Sequence, residues 1–209
     1  MKHFPELQLT PISARVLGCL LEKQAQTPDL YPLTLNSLVT ACNQSTSRHP
    51  VTSHTAQDVE QALRALSEDY LVTKVMGGRA PKFEHCLEDV LHLTDAERAI
   101  FTVLLLRGSQ TTGELRQRTE RMHVFKGLDE VEEILNSFIE YPHGPLVERL
   151  PAGGGRRVET FRHLLCADAG GQDEGSELPA GNDWREMMEN RLAALEAELA
   201  GLKSRLEGD

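Results

Sequence analysis

The pattern of apolar and polar positions occurs twice along this chain. In each copy, apolar residues first recur at the spacing of helices and then alternate in two short segments separated by glycines. Short alternating segments predict β-strands, and the glycines between them predict a tight turn, so each copy ends in a β-hairpin. The paired segments are 71–75 with 146–150 and 83–87 with 161–165, and the turns contain Gly77-Gly78-Arg79 and Gly153-Gly154-Gly155-Arg156-Arg157.

Helix start signals divide the rest of each copy into three helices. Thr10 predicts the start of the first helix in one copy, and Thr94 with Glu97 forms a capping box at the matching place in the other. Thr34 and Thr111 predict the starts of the second helices. The third helices carry matched apolar positions, which are Val59, Ala62, Leu63 and Leu66 in the first copy and Val131, Ile134, Leu135 and Phe138 in the second.

Three helices closed by a hairpin are typical of the winged-helix form of the helix-turn-helix. We therefore predict an α+β, mostly α fold with two tandem winged-helix domains, residues 1–90 and residues 91–167. The alternative is a pair of unrelated small α+β domains. The matched strand starts, glycine turns and Phe-x-His-x-Leu strand ends favour a true repeat.

The last part of the chain has a different composition. Residues 168–182 are rich in Gly, Asp and Glu, which predicts a flexible acidic linker. Residues 183–207 predict an amphipathic, coiled-coil-like helix that forms a homo-oligomer, because a helix this short needs a partner to be stable. The alternative is that it docks on its own chain. Its apolar seam consists of Met188, Leu192, Leu195, Leu199, Leu202 and Leu206.

Each copy contains short sequence motifs that are specific enough to be compared with those of a protein family. They are Leu9-Thr10-Pro11, Ala14 to Lys23, Tyr31-Pro32-Leu33 and Ala41-Cys42-Asn43-Gln44 in the first copy, and Leu104 to Gly108, Gly113 to Arg116 and Thr119-Glu120-Arg121 in the second. In these motifs the chain resembles the uncharacterised bacterial YceH family, over about Leu9 to Leu165. The resemblance implies tandem winged helices and carries no established activity, cofactor or binding residue.

The composition of the chain indicates the cellular compartment in which the protein is expected. The 209 residues contain no apolar run long enough to span a membrane, and the N-terminus lacks the basic and apolar regions of a signal peptide, so we expect a cytoplasmic protein without a membrane partner. The four cysteines, Cys19, Cys42, Cys86 and Cys166, have no metal-ligand spacing, and we interpret them as core residues. A metal site formed with His85, His92 and His163 is the weaker alternative.

Charge is distributed unevenly and gives conflicting indications about nucleic acid. The net charge of −10 comes mostly from residues 168–209, with four Lys/Arg against eleven Asp/Glu. The third helices, which winged-helix proteins usually place in the major groove, are acidic in both copies, whereas the hairpins are basic. The basic pair Arg48-His49 is too isolated in the sequence to count as evidence for nucleic-acid binding. The candidate nucleic-acid-binding residues are Lys74, Arg79, Lys82, Arg116, Arg118, Arg156 and Arg157.

Two functional hypotheses follow, neither of them enzymatic. His85 and His163 occupy equivalent positions, which is typical of structural strand residues, and no phosphate-loop, dinucleotide or nucleophile motif occurs, so we expect no catalytic residue, metal or cofactor. The first hypothesis is a DNA-associated, transcription-regulator-like protein that makes weak contacts to the DNA backbone through its hairpins. The second is a protein-protein interaction module that binds no DNA. Fold analogy favours the first narrowly, and the charge of the third helices favours the second.

Overall fold

The computed structural model describes residues 8–78, 80–153 and 158–166 of the chain. Within them the fold is α+β and mostly α, as predicted, with small antiparallel sheets. The first copy contains α1 (Pro11–Gln26), a short 3-10 turn (Pro28–Leu30), β1 (Leu33–Thr34), α2 (Leu35–Cys42), α3 (Ala56–Glu68), β2 (Val72–Val75) and β3 (Lys82–His85). After a connecting helix α4 (Leu87–Leu91), the second contains α5 (Asp95–Arg107), α6 (Thr112–Arg118), α7 (Leu128–Ile139), β4 (Val147–Leu150) and β5 (Thr160–His163).

Threonine side chains begin most of these helices, which confirms the predicted start signals. The Thr10 hydroxyl accepts a hydrogen bond from the Ser13 backbone N–H at α1, and Thr94 forms a complete capping box with Glu97 at α5. Helix α7 starts differently, because its N-cap is Gly127 and no side chain caps it.

The strands end earlier than the alternating pattern predicts. β3 stops at His85, and the backbone N–H of Cys86 donates to the Leu71 carbonyl at 2.8 Å before the chain turns into α4. Leu87 is therefore the first residue of α4, where it is buried, and not the last residue of a strand. Alternation alone could not separate the two, since a buried leucine fits either element.

Each hairpin is extended on one side only. In the first copy the strand order is β1-β3-β2, so β2 is an outer strand. In the second copy β4 pairs with β5, and Gln110 takes the place of β1 by exchanging two backbone hydrogen bonds with Phe161.

Both copies contribute to one continuous apolar core, and they meet along α1 and α5. At Gly18 the two helices come so close that a Cβ atom would lie 2.9 Å from Cδ2 of Leu106 and 3.1 Å from Cβ of Leu105. A second link joins the copies, because the His49 backbone N–H donates to the Leu106 carbonyl at 2.9 Å. The described residues therefore form one compact unit in which the copies are packed directly together. No helix among them is long and apolar enough to cross a membrane.

Candidate functional site

The first hairpin carries two of the predicted basic residues, and the strand register separates them. Lys74 lies opposite Phe83 and Lys82 lies opposite Val75. Because directly opposed residues share a face and neighbours along a strand alternate, Lys74 and Lys82 lie on opposite faces of the hairpin. Both are exposed, and neither pairs with a carboxylate in the described part of the chain. They do not form one basic patch, and Arg79 lies outside the described residues.

The basic residues on the strands of the second hairpin contact other residues of the same chain. The Arg149 guanidinium lies 5.2 Å from the ring centre of Phe161, and its Nη2 donates to Oδ1 of Asn136 at 2.9 Å. Its Nη1 also lies 3.5 Å from a carboxylate oxygen of Glu159. Arg162 pairs with Glu148 on the neighbouring strand. These pairs reduce the positive charge that the strands offer to a partner, while Arg156 and Arg157 lie outside the described residues.

The remaining predicted basic residues lie in α6. Arg118 forms an ion pair with Glu114 one turn earlier, at 3.0 Å between Nη2 and Oε1. Arg116 is exposed, and no carboxylate pairs with it within the segments that the structure describes. Only Arg116 of these two arginines is therefore available to an anionic ligand.

The third helices present acidic surfaces to solvent. Helix α7 contains four carboxylates and no lysine or arginine between Leu128 and Ile139, and its apolar side is buried through Val131, Leu135 and Phe138. In α3 the one basic residue, Arg64, pairs with Glu60 at 3.2 Å, so its charge is already balanced. The exposed carboxylates on these faces are Asp58, Glu60 and Glu68 in α3 and Asp129, Glu132 and Glu133 in α7.

The two equivalent histidines are buried strand residues. The Leu87 backbone N–H donates to Nδ1 of His85 at 3.4 Å, so Nε2 carries the proton and donates to Oε1 of Gln24 at 2.7 Å. Burial lowers the pKa of His85 and of His163 to about 4, and the charges of Arg98 and Arg162, respectively, add to the effect. Both side chains are therefore neutral at pH 7. Within residues 8–78, 80–153 and 158–166, no group of three His, Cys, Asp or Glu side chains is placed to hold a metal ion.

Sequence reasoning missed an extensive buried polar network, which is centred on Arg48. Its side chain is 0% exposed and makes a two-point pair with Glu22, at 3.0 Å for Nη1–Oε1 and 2.6 Å for Nη2–Oε2. Its remaining donors reach Oε1 of Gln44 and the carbonyls of Ala41 and Ser47. A signal was present, because Arg15 and Glu22 are the charged residues in the apolar stretch 14–22 of α1, and a buried charge requires a partner.

The cysteines divide into three buried residues and one partly exposed residue. Cys19, Cys42 and Cys166 are buried, as predicted. Cys86 is half-buried and lines a groove beside β2, where burial raises the pKa of its thiol. The predicted oligomerisation residues, from Met188 to Leu206, and the predicted linker lie outside the described residues.

Comparison with known proteins gives consistent matches over nearly the whole chain. The profile of a family described as "Protein of unknown function, DUF480" matches residues 9–167. The UPF0502 protein GSU0233 of Geobacter sulfurreducens is 45% identical over 200 residues, which cover 94% of this chain and 91% of that protein. The UPF0502 protein YceH of Salmonella newport and that of Salmonella typhimurium are each 43% identical over 209 residues, covering 96% of this chain and 95% of theirs.

Proposed function

Since this chain belongs to the DUF480 family, also named UPF0502, whose description assigns no activity, we propose a function from the residues themselves. The protein is a non-enzymatic, tandem winged-helix protein that binds other proteins. The winged-helix assignment is supported by the element order, since both copies run through three helices into a hairpin. Helices α3 and α7 then occupy the place of the helix that DNA-binding members of this fold insert into the major groove.

The acidic surface of α7 is the observation that carries this proposal. Its solvent face presents Asp129, Glu132 and Glu133 without a neighbouring cation on the same helix. Phosphates would be repelled from this face, whereas a basic protein surface would be attracted to it. The second hairpin adds to the argument, because Arg149 and Arg162 are already paired within the chain.

A crosslinking experiment tests the proposal directly. A photo-crosslinking amino acid replaces Glu133, or the exposed Asn36 of α2 as a matched control, and the protein is irradiated in the cells that produce it. We expect a discrete protein adduct at position 133 and none at position 36. The charge reversal Glu132→Lys in the same chain should remove the adduct, because a basic partner surface would then meet a cation. Equal labelling at both positions, or none at position 133, contradicts the proposal.

DNA contact through the hairpins is the second candidate function. Lys82 and Arg116 are exposed without a carboxylate partner in the described part of the chain, which leaves them available to phosphates. Fluorescence anisotropy with a labelled random-sequence duplex at two salt concentrations separates the candidates. The protein-binding function predicts no anisotropy change at low salt. A strongly salt-dependent change that Arg156→Glu with Arg157→Glu removes, at an unchanged melting temperature, supports DNA contact instead.

A further inference from the structure

A groove of about 630 Å³ lies beside the first hairpin, between the end of α3 and α4. This volume falls within the roughly 300–1,000 Å³ that is typical of small-molecule sites. The residue pair Ser67 and Tyr70 lines the groove at the end of α3, Lys74 lines it from β2, and Asp89 and Val90 line it from α4. The groove therefore combines an aromatic ring, an aliphatic side chain and two opposite charges.

The two charges in the groove do not pair with each other. Lys74 and Asp89 are both exposed, and neither forms an ion pair within the part of the chain that the structure describes. On the strands of the second hairpin, by contrast, Arg149 and Arg162 each have a carboxylate partner. A ligand that carries both a carboxylate and an ammonium group would pair with Lys74 and Asp89 at the same time.

Tyr70 stands at a backbone position that favours glycine. It follows Asp69, the C-cap of α3, and its φ of 60° lies in the left-handed region. The Tyr70 N–H donates to the Ser67 carbonyl at 3.2 Å. The Leu71 N–H donates to the Leu66 carbonyl at 2.8 Å, which completes a Schellman ending, where glycine is usual. A tyrosine is strained in this conformation, and its 66% exposed ring gains little from burial, so the strain points to a role in binding.

The tyrosine at the same place in the second copy has a role within the chain. Tyr141 follows Glu140, the C-cap of α7, and its hydroxyl donates to the Leu91 carbonyl at 2.9 Å. Its φ is not positive, so its backbone is unstrained. The Tyr70 side chain makes no such hydrogen bond to any described residue. The exposed ring of Tyr70 is therefore left for a ligand.

We propose that this groove binds a free α-amino acid with an apolar side chain. Lys74 pairs with the carboxylate of the ligand, Asp89 pairs with its ammonium group, and the apolar side chain packs on the Tyr70 ring and Val90. An internal peptide segment does not fit, because its backbone amides carry neither charge. The proposal goes beyond protein binding and does not rest on it, since the groove belongs to the first copy and the acidic face of α7 belongs to the second.

Ligand-observed saturation-transfer NMR on the full chain tests this site, with L-phenylalanine as the probe. Phenethylamine lacks the carboxylate and phenylpropionate lacks the ammonium group, so the two compounds are matched controls. We expect L-phenylalanine to bind at least about tenfold more tightly than either, because each control loses one charge-assisted contact. Bound L-phenylalanine should also slow alkylation of Cys86 by iodoacetamide, since Cys86 lines the groove and the other three cysteines are buried.

Variants that remove one charge assign each contact. Lys74→Met should weaken L-phenylalanine binding by about tenfold and leave phenethylamine binding unchanged. Asp89→Asn should weaken L-phenylalanine binding to a similar extent and leave phenylpropionate binding unchanged. Lys82→Met, on the opposite face of the hairpin, is the matched control and should bind L-phenylalanine as the parent chain does.

Two variants of Tyr70 separate its role in binding from its effect on stability. Tyr70→Gly should raise the melting temperature, because glycine adopts the left-handed conformation without a Cβ penalty, and it should weaken L-phenylalanine binding because the ring is lost. Tyr70→Ala also removes the ring but keeps the Cβ, so it should weaken binding and have a lower melting temperature than Tyr70→Gly. A tyrosine with a structural role alone would give lower melting temperatures in both variants.

Three results would overturn the proposal: no saturation transfer to L-phenylalanine, equal affinity for the three compounds, or parent-like L-phenylalanine binding by both Lys74→Met and Asp89→Asn. None of them changes the crosslink expected at position 133. Failure of the amino-acid site is therefore distinguishable from failure of the protein-binding function.

Discussion

Arg48 and Glu22 form a buried two-point ion pair that ties the connection between α2 and α3 to the first helix. The paired side chains are 0% and 6% exposed, and Arg48 also donates to carbonyls at Ala41 and Ser47. Arg15 anchors the same connection from a second point, through the carbonyls of Cys42 and Pro50. The connection is therefore tied to the core through Arg48 and Arg15, although most of its own residues are exposed.

Removing one partner of this buried pair should lower the free energy of unfolding much more than removing one partner of an exposed pair. Arg48→Met removes the two-point pair from the buried Glu22 carboxylate and leaves it only the Lys23 ammonium, at 3.4 Å, so the free energy of unfolding should fall by about 3 kcal/mol. Arg64→Met breaks the exposed pair with Glu60 and should cost less than about 1 kcal/mol. Urea unfolding of the two variants measures the difference. A similar loss in both would show that burial of the Arg48 pair contributes nothing.

The buried histidines should make the protein less stable as the pH falls. The pKa of each histidine is about 4 in the folded protein, against an ordinary value of 6.5. Between these two pH values the unfolded chain binds more protons than the folded chain, so the free energy of unfolding decreases as the pH decreases. Each histidine contributes a slope of up to about 1.4 kcal/mol per pH unit in that window. Urea unfolding between about pH 7.5 and pH 4.5 should show a shallower slope for His163→Gln than for the parent chain. An unchanged slope would contradict the assignment of a buried neutral imidazole.

Gly18 should tolerate no larger residue at the contact between α1 and α5. A side chain there would press on Leu105 and Leu106, so Gly18→Val should lower the free energy of unfolding by about 1–3 kcal/mol. Gly113→Ala in α6 is the control, because nothing lies within 4 Å of its added Cβ and helix propensity favours alanine. Thermal unfolding compares them, and Leu106→Ala should partly rescue Gly18→Val. Equal melting temperatures for both glycine variants would mean that the helices separate easily.

The predicted self-association can be tested on the seam of residues 188–206. Leu195→Asp with Leu199→Asp places charges in an apolar interface and should convert an oligomer to monomers. Light scattering gives the mass in solution, and Glu196→Lys, at a neighbouring polar position, serves as the control. A mass that is the same in the parent and the double variant would favour docking of this segment on its own chain.

Local signals in the sequence determined six of the seven described helices, most of their starts and the repeated hairpins, whereas α4 was missed. Thr10, Thr94 and Thr111 are caps because a hydroxyl accepts a bond from a backbone N–H only a few residues away, and such contacts are readable along the chain. The matched apolar positions of α3 and α7 similarly fix which side of each helix is buried. The acidic character of the opposite sides follows from the same reading.

Only the tertiary structure decided which charged side chains are paired within the chain and which are exposed. Register placed Lys74 and Lys82 on opposite faces, and packing gave Arg149 and Arg162 partners on neighbouring elements, so a count of basic residues overstated the basic surface. Arg48 and Glu22 are 26 positions apart, and nothing local indicates that they meet. Hydrogen bonds and ion pairs between distant segments depend on the final packing of the chain, whereas caps and periodicity depend on residues within one or two turns.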